Sequence, residues 1–144
     1  MRLRAVVDTN IVVGGLLTAD PDSPLVTIVD GMLSDRFLFL LSPPLVDEYR
    51  SVLLRPKLRS LHRLSEEEIE AVLVELAANG IWRDPPSQSS ATGAPDPGDD
   101  HLWDLLCTTE RPVLVTGDQL LLENPPAFAS VLSPRSFVEM GRQP

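Results

Sequence analysis

Four acidic positions, far apart in the chain, have the types and settings to do chemistry together: Asp8 in VVDTN, Glu48 in PLVDEYRSVL, Asp99 with its neighbour Asp100 in DPGDD, and Asp118 in VLVTGD. Taken singly, each has a plain structural explanation as a helix cap, a turn residue or a first-turn acid favoured by the helix dipole. Taken together they pose an electrostatic problem, because two carboxylates about 4 Å apart repel by roughly 4 kcal/mol at an effective dielectric near 20. Proton uptake relieves the repulsion, with raised pKa values, and so does a shared cation. An all-oxygen ligand set with open positions suits Mg²⁺ or Mn²⁺. No Cys or His cluster offers a softer site: His62 and His101 lie apart and read as surface or helix residues, and Cys107 is the single cysteine.

Whether the acids meet depends on the elements that carry them. Leu3 to Val7 reads as a short buried strand that ends at Asp8-Thr9-Asn10 and gives way to apolar Ile11-Val12-Val13. Ser23-Pro24 is a cap followed by proline in the first helical turn, opening a helix to about Ser34. FLFLL (37–41) is a second continuous apolar strand, and Ser42-Pro43 repeats the cap-and-proline pattern for a helix to about Leu54. Ser65 and Glu68 form a capping box for a helix ending near Asn79-Gly80, after which GIW suggests a short third strand. Residues 84–98 are rich in Pro, Ser and Gly and read as a long loop of the kind that lies beside a site. A helix from Asp99 or Asp100 to about Glu110, a fourth strand in PVLVTGD, a fifth in SVLSP and a closing helix in PRSFVEMG complete the pattern. Apolar strands without alternation, separated by helices, imply a three-layer α/β/α sandwich around a central parallel sheet of about five strands. The expectation is a single domain over 1–144.

In such a sheet ligands bind outside the carboxyl ends of the strands. Asp8 and Asp118 each follow a strand directly, and the helix opened by Asp99 and Asp100 starts over the same edge because it runs antiparallel to the strand it feeds. On the helix after Pro43, residues Leu45, Val46, Tyr49, Val52 and Leu53 form the apolar stripe; Glu48 borders it, whereas Asp47 points to water. The four acids are thus expected to converge, with Thr9 and Asn10 capping the next helix or holding the Asp8 carboxylate in place.

Composition bounds the rest. At 144 residues the chain can bury about two-thirds of its unfolded surface. No apolar run approaches the ~20 residues that span a bilayer, and the N-terminus lacks a signal-peptide pattern. With the lone cysteine, this leads to an expected cytoplasmic location with no membrane association. The net charge of −9 argues against a general polyanion binder. One stretch differs: residues 50–63 carry Arg50, Arg55, Lys57, Arg59 and Arg63 with no acid, either a solvated helix end or a local phosphate track.

In order and spacing, VVDTN, PLVDEYRSVL, DPGDD and VLVTGDQLLL resemble the PIN-domain nucleases over nearly the whole chain, and the closing VLSPRSFVEM is similar to a subgroup described as toxin components of bacterial toxin–antitoxin pairs. The resemblance implies a PIN-like fold and a Mg²⁺- or Mn²⁺-dependent endoribonuclease leaving 5′-phosphate and 3′-hydroxyl ends. It implies an acidic quartet at Asp8, Glu48, Asp99 and Asp118, with Asp100 as the alternative third ligand, Asp96 as a loop-bound partner and Thr116 as the polar residue beside the last acid. It further implies an RNA substrate, a small protein antitoxin and a homodimer; the Arg50–Arg63 segment, lying just after Glu48, is the candidate for holding the RNA backbone. Two rival readings remain at this point. A phosphatase of the haloacid-dehalogenase type would need a second acid where Asn10 stands and a later lysine, yet Lys57 is the only one. A non-catalytic PIN-like module for RNA or protein binding is the other. Gly14-Gly15 lacks the spacing of a dinucleotide-binding loop.

Overall fold

The computed structural model describes residues 3–86 and 93–141. Its five strands are β1 (Arg4–Val7), β2 (Leu38–Leu41), β3 (Ile81–Trp82), β4 (Pro112–Val115) and β5 (Ser130–Leu132), all parallel and ordered β3-β2-β1-β4-β5. Helices α1 (Thr9–Leu17) and α2 (Pro24–Leu33) connect β1 to β2, and α3 (Pro43–Leu53), α4 (Pro56–His62) and α5 (Glu66–Asn79) connect β2 to β3. A 3₁₀ turn at Pro97–Asp99 leads into α6 (Asp100–Leu106), α7 (Gln119–Glu123) joins β4 to β5, and α8 (Pro134–Gly141) follows β5. Helices α1, α2, α3 and α5 pack on one another, and α6 packs on β1 and β4. The expected α/β/α sandwich with five parallel strands is what the chain forms.

Strand composition explains the core. Val6, Val7, Phe39, Leu40, Leu41, Leu114 and Val115 have essentially no exposed surface, as parallel strands covered on both faces require. Each helix start is fixed locally. Ser23 and Ser42 accept hydrogen bonds from Leu25 N and Leu45 N beside prolines in the first turn, and the Ser65–Glu68 capping box is complete. Gly15 lets α1 approach α2 closely, since a Cβ there would sit 2.8 Å from the Leu25 carbonyl oxygen.

Some boundaries differ from expectation. The basic stretch is interrupted at Arg55 and continues as a separate short helix, α4, whose proline sits in the first turn where it costs no hydrogen bond. Helix α6 ends at Leu106 rather than near Glu110. Thr108 Oγ1 donates to the Leu105 carbonyl at 2.7 Å, a local side-chain bond that competes with further helix. Helix α7 was not foreseen; Asp118 caps it by accepting from Leu120 N. Of the expected loop 84–98, residues 87–92 lie outside the described residues.

The sheet order has a switch point. From β1 the chain steps outward through β2 to β3, then returns to place β4 on the other side of β1. A crevice opens at the carboxyl ends of strands on either side of such a reversal. β1 and β4 pair in register over their whole length, ending at Val7 opposite Val115, so Asp8 and Thr116 leave the sheet side by side. Helix α3 is tied to this corner by fully buried Tyr49, whose hydroxyl donates to the Val7 carbonyl. Tyr49→Phe should therefore cost roughly 1–2 kcal/mol by deleting one buried hydrogen bond. A fall of about 3–8 °C in melting temperature would register it; an unchanged melting temperature would show that α3 is held by packing alone.

Candidate active site

The Asp8 carboxylate is the most constrained group at the crevice. It is buried, and its Oδ2 accepts from Thr116 Oγ1 at 2.7 Å and from Asn10 Nδ2 at 3.3 Å. Its Oδ1 accepts from Thr9 N at 2.8 Å, so Asp8 is itself the cap of α1. Neither Thr9 nor Asn10 caps that helix. Thr9 serves through its backbone, its own hydroxyl being buried without a hydrogen-bond partner. The Asn10 side chain bridges two corners: besides donating to Asp8, its oxygen accepts from Gly117 N at 3.2 Å. Thr116 does the same from the other strand, its hydroxyl oxygen accepting from Asp118 N at 3.0 Å while its proton goes to Asp8. Asp8 and Asp118 are thereby locked into one hydrogen-bonded unit.

Burial raises the Asp8 pKa, the hydrogen bonds from Thr116 and Thr9 oppose that rise, and the charges of Glu48 and Asp118 add to it. Asp99, partly buried, is pushed up to about 6, by desolvation first and then by Asp8, Asp96, Glu48 and Asp118. Asp8 and Asp99 therefore each lie within electrostatic reach of Glu48 and Asp118, and Asp99 within reach of Asp8, the convergence that the sequence pattern predicts. Among the described residues, no group of three or more His, Cys, Asp or Glu stands ready-made to hold a metal; the acids interact at longer range than ligating contact. The donor chemistry fits a hard divalent cation all the same. All four groups offer oxygen, and Glu48 Oε2 is buried without a hydrogen-bond partner, leaving its lone pairs uncommitted.

Asp99 and Asp100 part company. Asp100 Oδ1 accepts from Ala94 N at 3.0 Å and so fastens the incoming loop, whereas Asp99 is the one that feels the acid cluster. Asp96 caps the 3₁₀ turn through Gly98 N at 2.9 Å while adding its charge to the repulsion on Asp99.

On α3, Glu48 and Asp47 diverge as the helical wheel requires. Asp47 is largely exposed and pairs with Arg50, and Glu48 is turned toward α6, where its Oε2 lies 3.2 Å from His101 Nε2. Sequence reasoning left His101 outside the site. His101 stands in the first turn of the helix that Asp99 precedes, and its approach to Glu48 depends on α6 packing against α3. His62, by contrast, is structural, contacting the Leu53 carbonyl at 2.9 Å and accepting from Leu64 N.

The basic stretch is partly committed. Arg50 pairs with Glu70 at 2.7 Å and Arg59 with Glu66 at 3.5 Å, both at the surface. Among the described residues, Arg55, Lys57 and Arg63 make no ion pair. A cleft of about 460 Å³ opens beside His101, lined also by Ser42, Pro44, Pro97, Asp100 and Asp104.

A family model described as PIN domain matches residues 4–120 of the chain. No curated protein matches it.

Asp99 gives a pH signature in metal-free protein. Its carboxyl moves from the ordinary 3.8 to about 6 on folding, so the folded state binds the proton more tightly. The resulting penalty is absent below about pH 4, grows between about 4 and 6, and is complete above that range. With the group partly open to water, screening leaves about 1 kcal/mol of it. Asp99→Asn should raise the melting temperature of chelator-treated protein by about 3 °C at pH 8 and leave it unchanged at pH 4; an equal gain at both pH values would remove the electrostatic explanation.

Proposed function

The chain belongs to the PIN-domain family, a nuclease-type fold, and from that premise we propose that the acidic crevice is the active site of a metal-dependent endoribonuclease. The observation that carries the reading is the gathering of Asp8, Glu48, Asp99 and Asp118 at the β1–β4 switch point, where burial first, and then the charges of Glu48 and Asp118, raise the pKa values of both Asp8 and Asp99. Such crowding favours a counter-cation. PIN domains usually bind divalent ions, and Mg²⁺ or Mn²⁺ suits these donors. When bound, the ion supplies Lewis acidity for phosphodiester hydrolysis.

The chain's own residues supply the preorganisation. Thr116, Asn10 and the Thr9 backbone fix the Asp8 oxygens before any ligand arrives, so none has to be reoriented during reaction. Asp118 is held at a helix start by its bond from Leu120 N at 2.9 Å. In the metal-free protein, burial and then the neighbouring acids raise the Asp99 pKa to about 6. Arg55, Lys57 and Arg63, unpaired within the described chain, are the cations free to follow an RNA backbone, with Arg59 joining by exchange of its exposed partner Glu66. Arg50 is the weakest member of the set, since Glu70 and Asp47 already hold it. The second acid that the haloacid-dehalogenase type of phosphatase requires is replaced by Asn10, whose amide is spent on Asp8 and Gly117.

The proposal extends to the toxin of a toxin–antitoxin pair, supported by the likeness of VLSPRSFVEM to that subgroup. A small protein antitoxin covering the acidic edge and a homodimer follow from the same likeness.

Purified protein should cut RNA with Mg²⁺ or Mn²⁺ and stop on chelation, and Asp8→Asn should slow it at least about 100-fold while remaining folded. Equal cutting by Asp8→Asn would trace the activity to a contaminant, and RNA binding without cutting would favour the non-catalytic module. Replacing Arg55, Lys57 and Arg59 together by Gln should flatten the dependence of log affinity on log salt by about 2. An unchanged slope would remove α4 from the RNA path.

A further inference from the structure

We propose that His101 is a positioning residue that holds Glu48 in the acid cluster; the inference rests on the metal-site reading above and deepens it. Glu48 lacks the backbone anchoring that Asp8 and Asp118 have. Asp8, Asp99 and Asp118 sit at element ends, and Asp8 and Asp118 accept backbone hydrogen bonds there. Glu48 projects from within α3 on a longer side chain, is 36% exposed, and is repelled by Asp8 and Asp99, whose pKa values it raises. Left to itself, such a side chain gains by swinging out to water, away from like charges.

His101 opposes that motion. It lies in the first turn of α6, which packs on α3, and its Nε2 is 3.2 Å from Glu48 Oε2. Among the described residues, this is the only approach of a basic side chain to within 4 Å of any of the four acids. The basic neighbour of Glu48 on its own helix, Arg50, is engaged instead by Glu70 and Asp47.

The contact holds the carboxylate without consuming it. Glu48 Oε2 is buried yet makes no hydrogen bond, so the imidazole limits where the oxygen can go and leaves its lone pairs for a cation. His101 Nδ1 is likewise buried without a hydrogen-bond partner. Backbone and side-chain partners of this kind orient a ligand, and losing one typically weakens metal affinity about 10- to 100-fold.

Calorimetric titration of full-length, metal-free protein with Mn²⁺ tests the assignment. Wild type should bind, Asp8→Asn should bind far more weakly, and His101→Ala should lose about tenfold in affinity with an unchanged melting temperature. His101→Gln, which keeps a polar side chain of similar reach beside Glu48, should recover part of the loss. It also carries the test should the alanine variant fail to fold. The double variant His101→Ala/Glu48→Gln should bind no more weakly than Glu48→Gln alone. Wild-type affinity in His101→Ala, or losses that simply multiply in the double variant, would overturn the positioning role. Nitrogen coupling in the pulsed EPR spectrum of bound Mn²⁺ would overturn it too, by making His101 a ligand. Failure of wild type to take up Mn²⁺ overturns the metal-site reading itself, a result distinct from the others.

Discussion

The hydrogen bond from Thr116 to Asp8 is the contact on which the rest of the site depends. It exists because β1 and β4, distant in sequence, pair in register to their last residues. Any slip by one residue would exchange every inward side chain for an outward one, and would carry Thr116 away from the carboxylate. The fully buried strands make such a slip costly, so the core fixes the geometry of the rim. The carboxylate is then held by three donors, a degree of constraint that a buried anion at a sheet end needs if it is to remain charged.

A second constraint follows from concentrating charge. Packing four acids around one crevice works against folding unless protons or a cation offset it; burial first, and then the charges of neighbouring acids, raise the pKa values of Asp8 and Asp99. Local rules and global function disagree here in the way expected at a functional site. Much of the rest agrees: Pro24, Pro43 and Pro56 sit in first helical turns, Ser23, Ser42 and Ser65 cap helices, and apolar runs form strands covered on both faces. The acidic net charge has one local exception: Arg55, Lys57 and Arg63, without ion pairs among the described residues, lie on α4 or at its two ends.

Much of this was legible from the chain alone. Uninterrupted apolar runs gave the strands, cap-and-proline pairs gave the helix starts, and a helical wheel was enough to choose Glu48 over Asp47. What escaped were features decided by contacts between elements. The resemblance favours Asp99 over its neighbour Asp100, but that Asp100 fastens the loop by accepting from Ala94 N is visible only in the structure. His101 looks like an ordinary first-turn residue until α3 is brought against α6. The end of α6 depended on a threonine hydroxyl taking a backbone carbonyl, and α7 is a single short stretch organised by the same Asp118 that faces the crevice. Arg50 read as part of a phosphate track because its partner Glu70 lies on a different helix.

The central claim is that acids remote in sequence share one divalent ion at the carboxyl edge of the sheet. Anomalous diffraction from crystals soaked in millimolar Mn²⁺ tests it without recourse to activity. The account predicts a peak enclosed by Asp8, Glu48, Asp99 and Asp118. A crystal with that crevice open to solvent and no peak within reach of those side chains would contradict it.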